Sequence, residues 1–375
     1  MFIVYILFVI DIIIKFYYYF NFSYLCKVFN SKENSPINLY NFITITKMTF
    51  KIIILAIMHV IAKAESFEHL LYLQLQDVGE KVIKHSTYQK LKQKAKWEAY
   101  KPDENPFRNW TTSEIKSMFN IQLINNKPTF RFELEFLDHL ASEPIQPSFD
   151  SRKNWPNCPR KPRQQGKCGS CWAFSIASTM SDRFCIATHE KIKVTLAPQD
   201  LVSCNNENYG CKNGKLQVAY NYFETTGVVT EECFSYNSTY DNVPKCIPEG
   251  KCQDEKFPFR KYKVIKGSTV QLKCPFEIQS EILQNGPVTT GLVLTEDFMH
   301  YKGGIFEYEY GELMGGHAVK IVGWGQENET KYWIVENSWG EDWGENGFFR
   351  IKFGENLIDS NAFAGRPDVN TLNLR

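Results

Sequence analysis

Residues 164–174 read Gln164-Gln165-Gly166-Lys167-Cys168-Gly169-Ser170-Cys171-Trp172-Ala173-Phe174. A helix is predicted to run on from them. Trp172, Ile176, Met180 and Phe184 recur at every fourth residue and so share a face, while Ala173 and Ala177 allow close packing. Cys171 then falls at the helix amino terminus, where the peptide dipoles favour an anion and lower a thiol's pKa. A thiolate there is a nucleophile. Two other readings stand beside this one. Cys171 could be half of a disulfide, since the ten cysteines from Cys158 to Cys274 could pair completely. Cys168 and Cys171 could form a redox pair or half of a zinc site, but the sequence has neither a second Cys-x-x-Cys nor a surrounding βαβ pattern.

Two downstream segments favour the nucleophile. Gly315-Gly316-His317-Ala318-Val319-Lys320-Ile321-Val322 alternates as a strand does, placing His317 on one face with Val319 and Ile321. Tyr332-Trp333-Ile334-Val335 is a second apolar strand, followed by Glu336-Asn337-Ser338-Trp339-Gly340. Thiol, imidazole and amide can then play three parts. His317 takes the proton of Cys171, and Asn337 holds the ring through its other nitrogen.

The blocks QGKCGSCWAF, GGHAVKIVGWG and ENSWGEDWGENGFFRI resemble the three active-site blocks of the papain family of cysteine peptidases. His317 and Asn337 follow Cys171 by 146 and 166 residues, in the family's order. The resemblance implies an α+β fold, with a mainly helical left domain carrying Cys171, a β-barrel right domain carrying His317 and Asn337, and a cleft between them. It makes Cys171 the nucleophile, His317 the acid/base, Asn337 the orienting group and Gln165 the side-chain donor of the oxyanion hole. Trp339 would shield the His317–Asn337 contact, Gly214 would pair with substrate backbone, and Gly316 would border the substrate beside His317. Asn213 stands where the usual pattern has a glycine. The same resemblance suggests disulfides Cys158–Cys185, Cys168–Cys211, Cys204–Cys246 and Cys233–Cys252, leaving Cys274 unpaired.

Within the family, Ser148–Arg152, Trp155–Cys158, Asn285–Val288 and Gly311–His317 resemble the cathepsin B branch, as do Lys96–Tyr100, Asn105–Phe107 and Thr112–Lys116 in the leader. Two departures matter. No histidine lies between His189 and His300, where that branch carries the paired histidines of its occluding loop, so endopeptidase action is expected. Asn361 replaces the branch's pocket glutamate, so an apolar residue is expected two positions before the cut, with Leu216 and Ala318 as pocket walls. The alternative is a catalytically silent binding protein on the same scaffold, although the four catalytic positions are intact.

The remaining sequence bounds these readings. Forty-three basic against forty-two acidic residues, a net charge of +1, leave no excess for a phosphate backbone, so no nucleic-acid partner is expected. A composition 43% apolar and 15% aromatic excludes disorder. The apolar run 1–20 is broken by Asp11 and Lys15 and makes a poor membrane anchor. Lys51, the core Ile52–Ile61 and Ala62-Lys63-Ala64 read as a secretory signal peptide. The expected organisation is an untranslated leader or low-complexity extension 1–47 with translation starting at Met48, a signal peptide 48–64, a propeptide 65–144 and a peptidase domain 145–375. Protein or peptide substrates are expected, with the propeptide as intramolecular inhibitor, no cofactor, no metal and no stable membrane insertion. A monomer in a lysosome-like or extracellular compartment is expected, which clustered cysteines suit. Asn109, Asn237 and Asn328 begin glycosylation sequons, and His189 and His300 lie in no motif.

Overall fold

The computed structural model describes residues 79–119, 145–158 and 161–370. The extension 1–47, the expected signal peptide, the first part of the expected propeptide and its stretch 120–144 lie outside the described residues. The chain divides after Val78, and the described residues all belong to the unit from Gly79 onward.

The segment before residue 145 carries α1 (His85–Lys94), β1 (Glu98–Ala99) and α2 (Thr112–Ser117). A helix as short as α2 is marginal by itself. It begins with a capping box, the Thr111 side chain accepting from the Glu114 N–H while the Glu114 carboxylate accepts from the Thr111 N–H. Such a cap contributes about 1 kcal/mol. Next come β2 (Phe149–Asp150) and α3 (Ser151–Asn154), which Asp150 caps.

The helical half is built on α4 (Cys171–Ala187), with α5 (Pro198–Cys204) and α6 (Leu216–Thr225). Trp172, Ile176, Met180 and Phe184 are all buried, and so is most of the rest of α4. A helix covered all round must lie inside the protein. Its apolar side meets Leu201, Tyr220 and Phe223, and each such large side chain contributes roughly 1.5–3 kcal/mol by leaving water. Disulfides Cys158–Cys185, Cys168–Cys211, Cys204–Cys246 and Cys233–Cys252 tie this half together, and Cys171 and Cys274 lie outside them. His189 is exposed, whereas His300 is fully buried.

The sheet half contains β3 (Val270–Leu272), α7 (Pro275–Asn285), β4 (Val288–Thr295), a 3-10 turn (Asp297–His300), β5 (Tyr301–Gly303), β6 (Ile305–Phe306), β7 (Leu313–Glu327), β8 (Thr330–Glu336), β9 (Phe348–Lys352) and β10 (Ala362–Ala364). Its strands pair in the order β3-β10-β4-β7-β8-β9-β6, with β2 added along β7. All these pairings are antiparallel except β6 with β9. Strand β7 is buried almost continuously from His317 to Gly325, because α4 packs on it and sheet neighbours flank it. The β7–β8 hairpin turns at Asn328 and Glu329, both at positive φ, as a two-residue loop of matching twist requires. Phe298, Tyr301, Phe306, Trp339, Trp343 and Phe349 form an aromatic core under the site.

The segment before residue 145 docks on this half. β1 pairs with β5, Trp97 packs against Tyr301 and Phe306, and Asn105 donates from its side-chain amide to the Met299 carbonyl at 2.9 Å.

Candidate active site

Cys171 is the first residue of α4, where backbone N–H groups have no intrahelical acceptors and the dipole is positive. Its side chain is fully buried. His317 lies on β7 opposite Leu292 of β4, and Asn337 directly follows the end of β8, so the backbone ladder β4-β7-β8 sets the relative positions of imidazole and amide.

The His317 Nε2 and the Asn337 Oδ1 are 2.8 Å apart. An amide oxygen only accepts, so Nε2 carries the proton and Nδ1 is left as the acceptor. That Nδ1 is buried without a hydrogen-bond partner among the described residues. Burial pulls the pKa of His317 down to about 4, against the opposing pull of the Asn337 contact. The Trp339 ring lies 5.0 Å from the imidazole, centroid to centroid, tilted by 33°.

Gln165 is fully buried and held at both ends of its amide. Its Oε1 accepts from the Ser338 hydroxyl at 2.6 Å, which turns the nitrogen the other way. The Nε2 donates to the Cys168 carbonyl at 2.9 Å and to the Met118 carbonyl at 3.3 Å. The Gln165 carbonyl accepts from Tyr236 at 2.8 Å, and the Tyr236 hydroxyl is also 2.9 Å from that of Ser170, next to Cys171.

Next to the candidate site, on the same helix and strands, is a buried ionic cluster. Lys320 of β7 reaches Asp182 of α4 at 2.7 Å, Glu336 of β8 at 2.6 Å and the Ser178 hydroxyl of α4 at 2.8 Å. Ser178 in turn donates to Glu336 at 2.6 Å. Burial opposes the ammonium charge, yet the carboxylates of Asp182 and Glu336 hold the Lys320 pKa above its ordinary value. The cluster bolts together the helix of Cys171, the strand of His317 and the residue before Asn337.

The structure also places the other residues singled out in the sequence. A Cβ on Gly214 would sit 2.2 Å from Trp172 Cγ, so only glycine allows this loop its close approach. Leu216 and Ala318 join one buried cluster with Trp172 and Phe363. Asn361 accepts at its side-chain oxygen from Gln271 at 2.5 Å and stays partly exposed. Gly316 pairs with Val293 of β4. Among the described residues no group of three or more His, Cys, Asp or Glu side chains could hold a metal ion.

Sequence reasoning missed how the segment before residue 145 closes the site. Phe119 meets His317 edge-on at 5.6 Å and lies 5.7 Å from Trp339. Gly315, at φ +147°, makes room for it, since a Cβ there would stand 2.8 Å from Phe119 Cβ. Met118 and Phe119 carried one sequence signal, two apolar residues ending a polar helix.

A family model described as papain family cysteine protease matches residues 145–365. Cathepsin B-like cysteine proteinase 6 of Caenorhabditis elegans is 38% identical over 261 residues, 62% of this chain and 69% of the relative. Cathepsin B-like CP1 of Giardia intestinalis is 39% identical over 216 residues, 57% of this chain and 70% of the relative. Among solved structures, procathepsin B S9 from Trypanosoma congolense superposes with a TM-score of 0.67 at 30% identity, covering 77% of this chain and 99% of that one. Digestive procathepsin L 3 of Tenebrio molitor, at 19% identity and a TM-score of 0.57 over 94% of this chain and 99% of that one, shares the fold.

Proposed function

Because the chain belongs to the papain family of cysteine proteases, we propose that it is an endopeptidase made as a secreted or lysosomal zymogen, with residues 48–64 as signal peptide, 65–144 as propeptide and 145–375 as the peptidase domain. The observation that carries the mechanism is the His317–Asn337 contact. It leaves Nδ1 as the imidazole's open acceptor, which on this reading takes the proton of Cys171 at the start of α4.

The steps follow from these groups. The Cys171 thiol gives its proton to His317, and the thiolate attacks the scissile carbonyl carbon. The carbonyl oxygen becomes an oxyanion, stabilised by the Gln165 amide and the Cys171 N–H. Collapse of the tetrahedral species expels the amine, which takes its proton from His317, and leaves a thioester on Cys171. His317 then takes a proton from water, whose oxygen attacks the thioester, and the acid departs as Cys171 regains its hydrogen. Asn337 holds the ring throughout, and Trp339 keeps water from that contact.

Endopeptidase action is supported by the absence of histidine between His189 and His300. Asn361 brings no negative charge to the pocket of Leu216 and Ala318, which supports an apolar residue two positions before the cut. Disulfides in the helical half suit an oxidising compartment. The test is mass spectrometry of the products from a peptide blocked at its carboxyl terminus, using protein expressed from Met48 and matured at mildly acidic pH, with Cys171→Ala as control. Internal cuts by the wild type alone are expected; equal turnover by Cys171→Ala would sink the mechanism.

A further inference from the structure

Lys167 stands between Gln165 and Cys168, four residues ahead of Cys171. Its ammonium is 2.6 Å from the Glu114 carboxylate of α2 and 5.4 Å from the centre of the Trp110 ring. Both partners belong to the segment before residue 145. Lys167 and Glu114 are 40% and 36% exposed, so the pair sits at the rim of the cleft and not in its floor. The Lys167 ammonium is also the largest cause holding the Glu114 carboxyl below its ordinary pKa, followed by the Thr111 N–H.

The same stretch of chain covers the catalytic groups. The Ser117 hydroxyl donates to the Lys167 carbonyl at 3.2 Å, Met118 takes the Gln165 amide and Phe119 covers His317. A substrate must displace these residues and run over the surface they occupy. When they leave, Lys167 loses its counter-ion. The neighbouring Arg163 does not, because it is held at 2.6 Å by Glu231, which lies after residue 145.

The side of the cleft follows from the peptidase reading. On it, Gly214, Leu216 and Ala318 belong to the acyl side, where Gly214 packs closely on Trp172. Lys167 instead adjoins Trp110, whose ring meets Phe107 at 5.5 Å, and Phe107 meets Trp339 at 5.2 Å. That is the side of His317 and Trp339, where the leaving amine departs.

We propose that in the mature enzyme Lys167 is a subsite for a substrate carboxylate on the leaving-group side of the scissile bond, and that Glu114 occupies it in the zymogen. The inference rests on the peptidase reading above. The carboxylate can come from an acidic side chain or from the substrate's own carboxyl terminus. A partly exposed ion pair supports only a modest preference, about threefold to fivefold.

The test takes the full chain, matured at mildly acidic pH, and three kinds of quenched peptide with one core sequence. The first is neutral with a blocked carboxyl terminus, the second carries one Asp moved through the first three positions after the cut, and the third is neutral with a free terminus. The reading is kcat/KM divided by that of the blocked neutral peptide. Wild type is expected to favour at least one carboxylate-bearing peptide about threefold or more, and the Asp and free-terminus arms separate the two sources. In Lys167→Gln the ratio falls to one. In Glu114→Lys with Lys167→Glu, which keeps the zymogen pair with its charges exchanged, it falls below one. Ratios of one in the wild type, or a preference that survives Lys167→Gln, would overturn the subsite alone. Failure of the wild type to cut the blocked neutral peptide would remove the endopeptidase reading and the subsite with it.

Discussion

The side-chain amide of Gln165 donates to the backbone carbonyl of Met118 at 3.3 Å, so the candidate oxyanion donor is already engaged by the protein's own chain. The next residue, Phe119, is almost fully buried against His317 and Trp339. On the proposed reading, the zymogen is inhibited by occupation of a formed site, and activation consists of uncovering it.

Phe119→Ala is expected to speed activation. Truncating a buried phenylalanine costs about 3–5 kcal/mol where its surroundings cannot collapse, and each 1.4 kcal/mol is worth a factor of about ten. Part of that loss falls on the closed state alone, so the zymogen should process itself at least tenfold faster at a fixed acidic pH. The measurement is the rate of appearance of the mature band by gel; an unchanged rate would show that Phe119 contributes no closure.

Acid should open the zymogen. Burial lowers the pKa of His317 to about 4, and burial alone does the same to His300, whose two ring nitrogens have no hydrogen-bond partner among the described residues. The His300 carbonyl accepts from the Tyr100 N–H next to the β1–β5 pairing, so this histidine lies beneath the docked segment. Both rings are neutral in the closed state. As pH falls below about 6.5, an opened state takes up protons that the closed state refuses, and closure weakens until about pH 4, below which both states are protonated. His300→Leu should flatten part of this dependence. Activation rate against pH is the measurement, and an identical curve for the variant would exclude His300.

The line between what was legible in the sequence and what was hidden runs between local pattern and docking. The fourfold spacing of Trp172, Ile176, Met180 and Phe184 gave α4, because a buried helix must repeat its apolar contacts at helical period. His317 and Asn337 were legible because strand alternation and the Trp339 block locate them. Lys320, Asp182 and Glu336 were not, since a lone charge in a strand or helix reads as a solvated face until the fold brings three elements together. The pairing of Lys167 with Glu114 escaped for the same reason: the partners lie 53 residues apart, and only the docking of α2 joins them.

Lys320→Met should be strongly destabilising. Removing one partner from a buried ionic cluster costs about 3–5 kcal/mol, because Asp182 and Glu336 are left facing each other without their cation. Adding Glu336→Gln to Lys320→Met should recover part of the loss by removing one of the two negative charges. Urea unfolding of the zymogen tests both statements. A loss under about 1 kcal/mol for the single variant, or none recovered by the double, would mean that the cluster is not a structural bolt.

Ser338→Ala should lower kcat with little change in KM, because Ser338 acts through Gln165. Its hydroxyl donates to Oε1 at 2.6 Å and so decides which end of the amide faces the cleft. Without it Oε1 is a buried acceptor lacking its donor, at a cost of about 1–3 kcal/mol, and the amide can turn its oxygen toward the developing oxyanion. Loss of an oxyanion donor lowers kcat by about 10²–10³, which is the expectation for Gln165→Ala. Ser338→Ala leaves the donor present but misdirected part of the time, so a loss of roughly tenfold is expected, confined to the step in which charge develops. Ser338→Thr keeps the hydroxyl and should restore most of the rate. Separate determination of kcat and KM decides the matter: a rise in KM at constant kcat would place Ser338 in substrate binding instead, and no change in either would show that the Cys168 carbonyl alone suffices to orient Gln165.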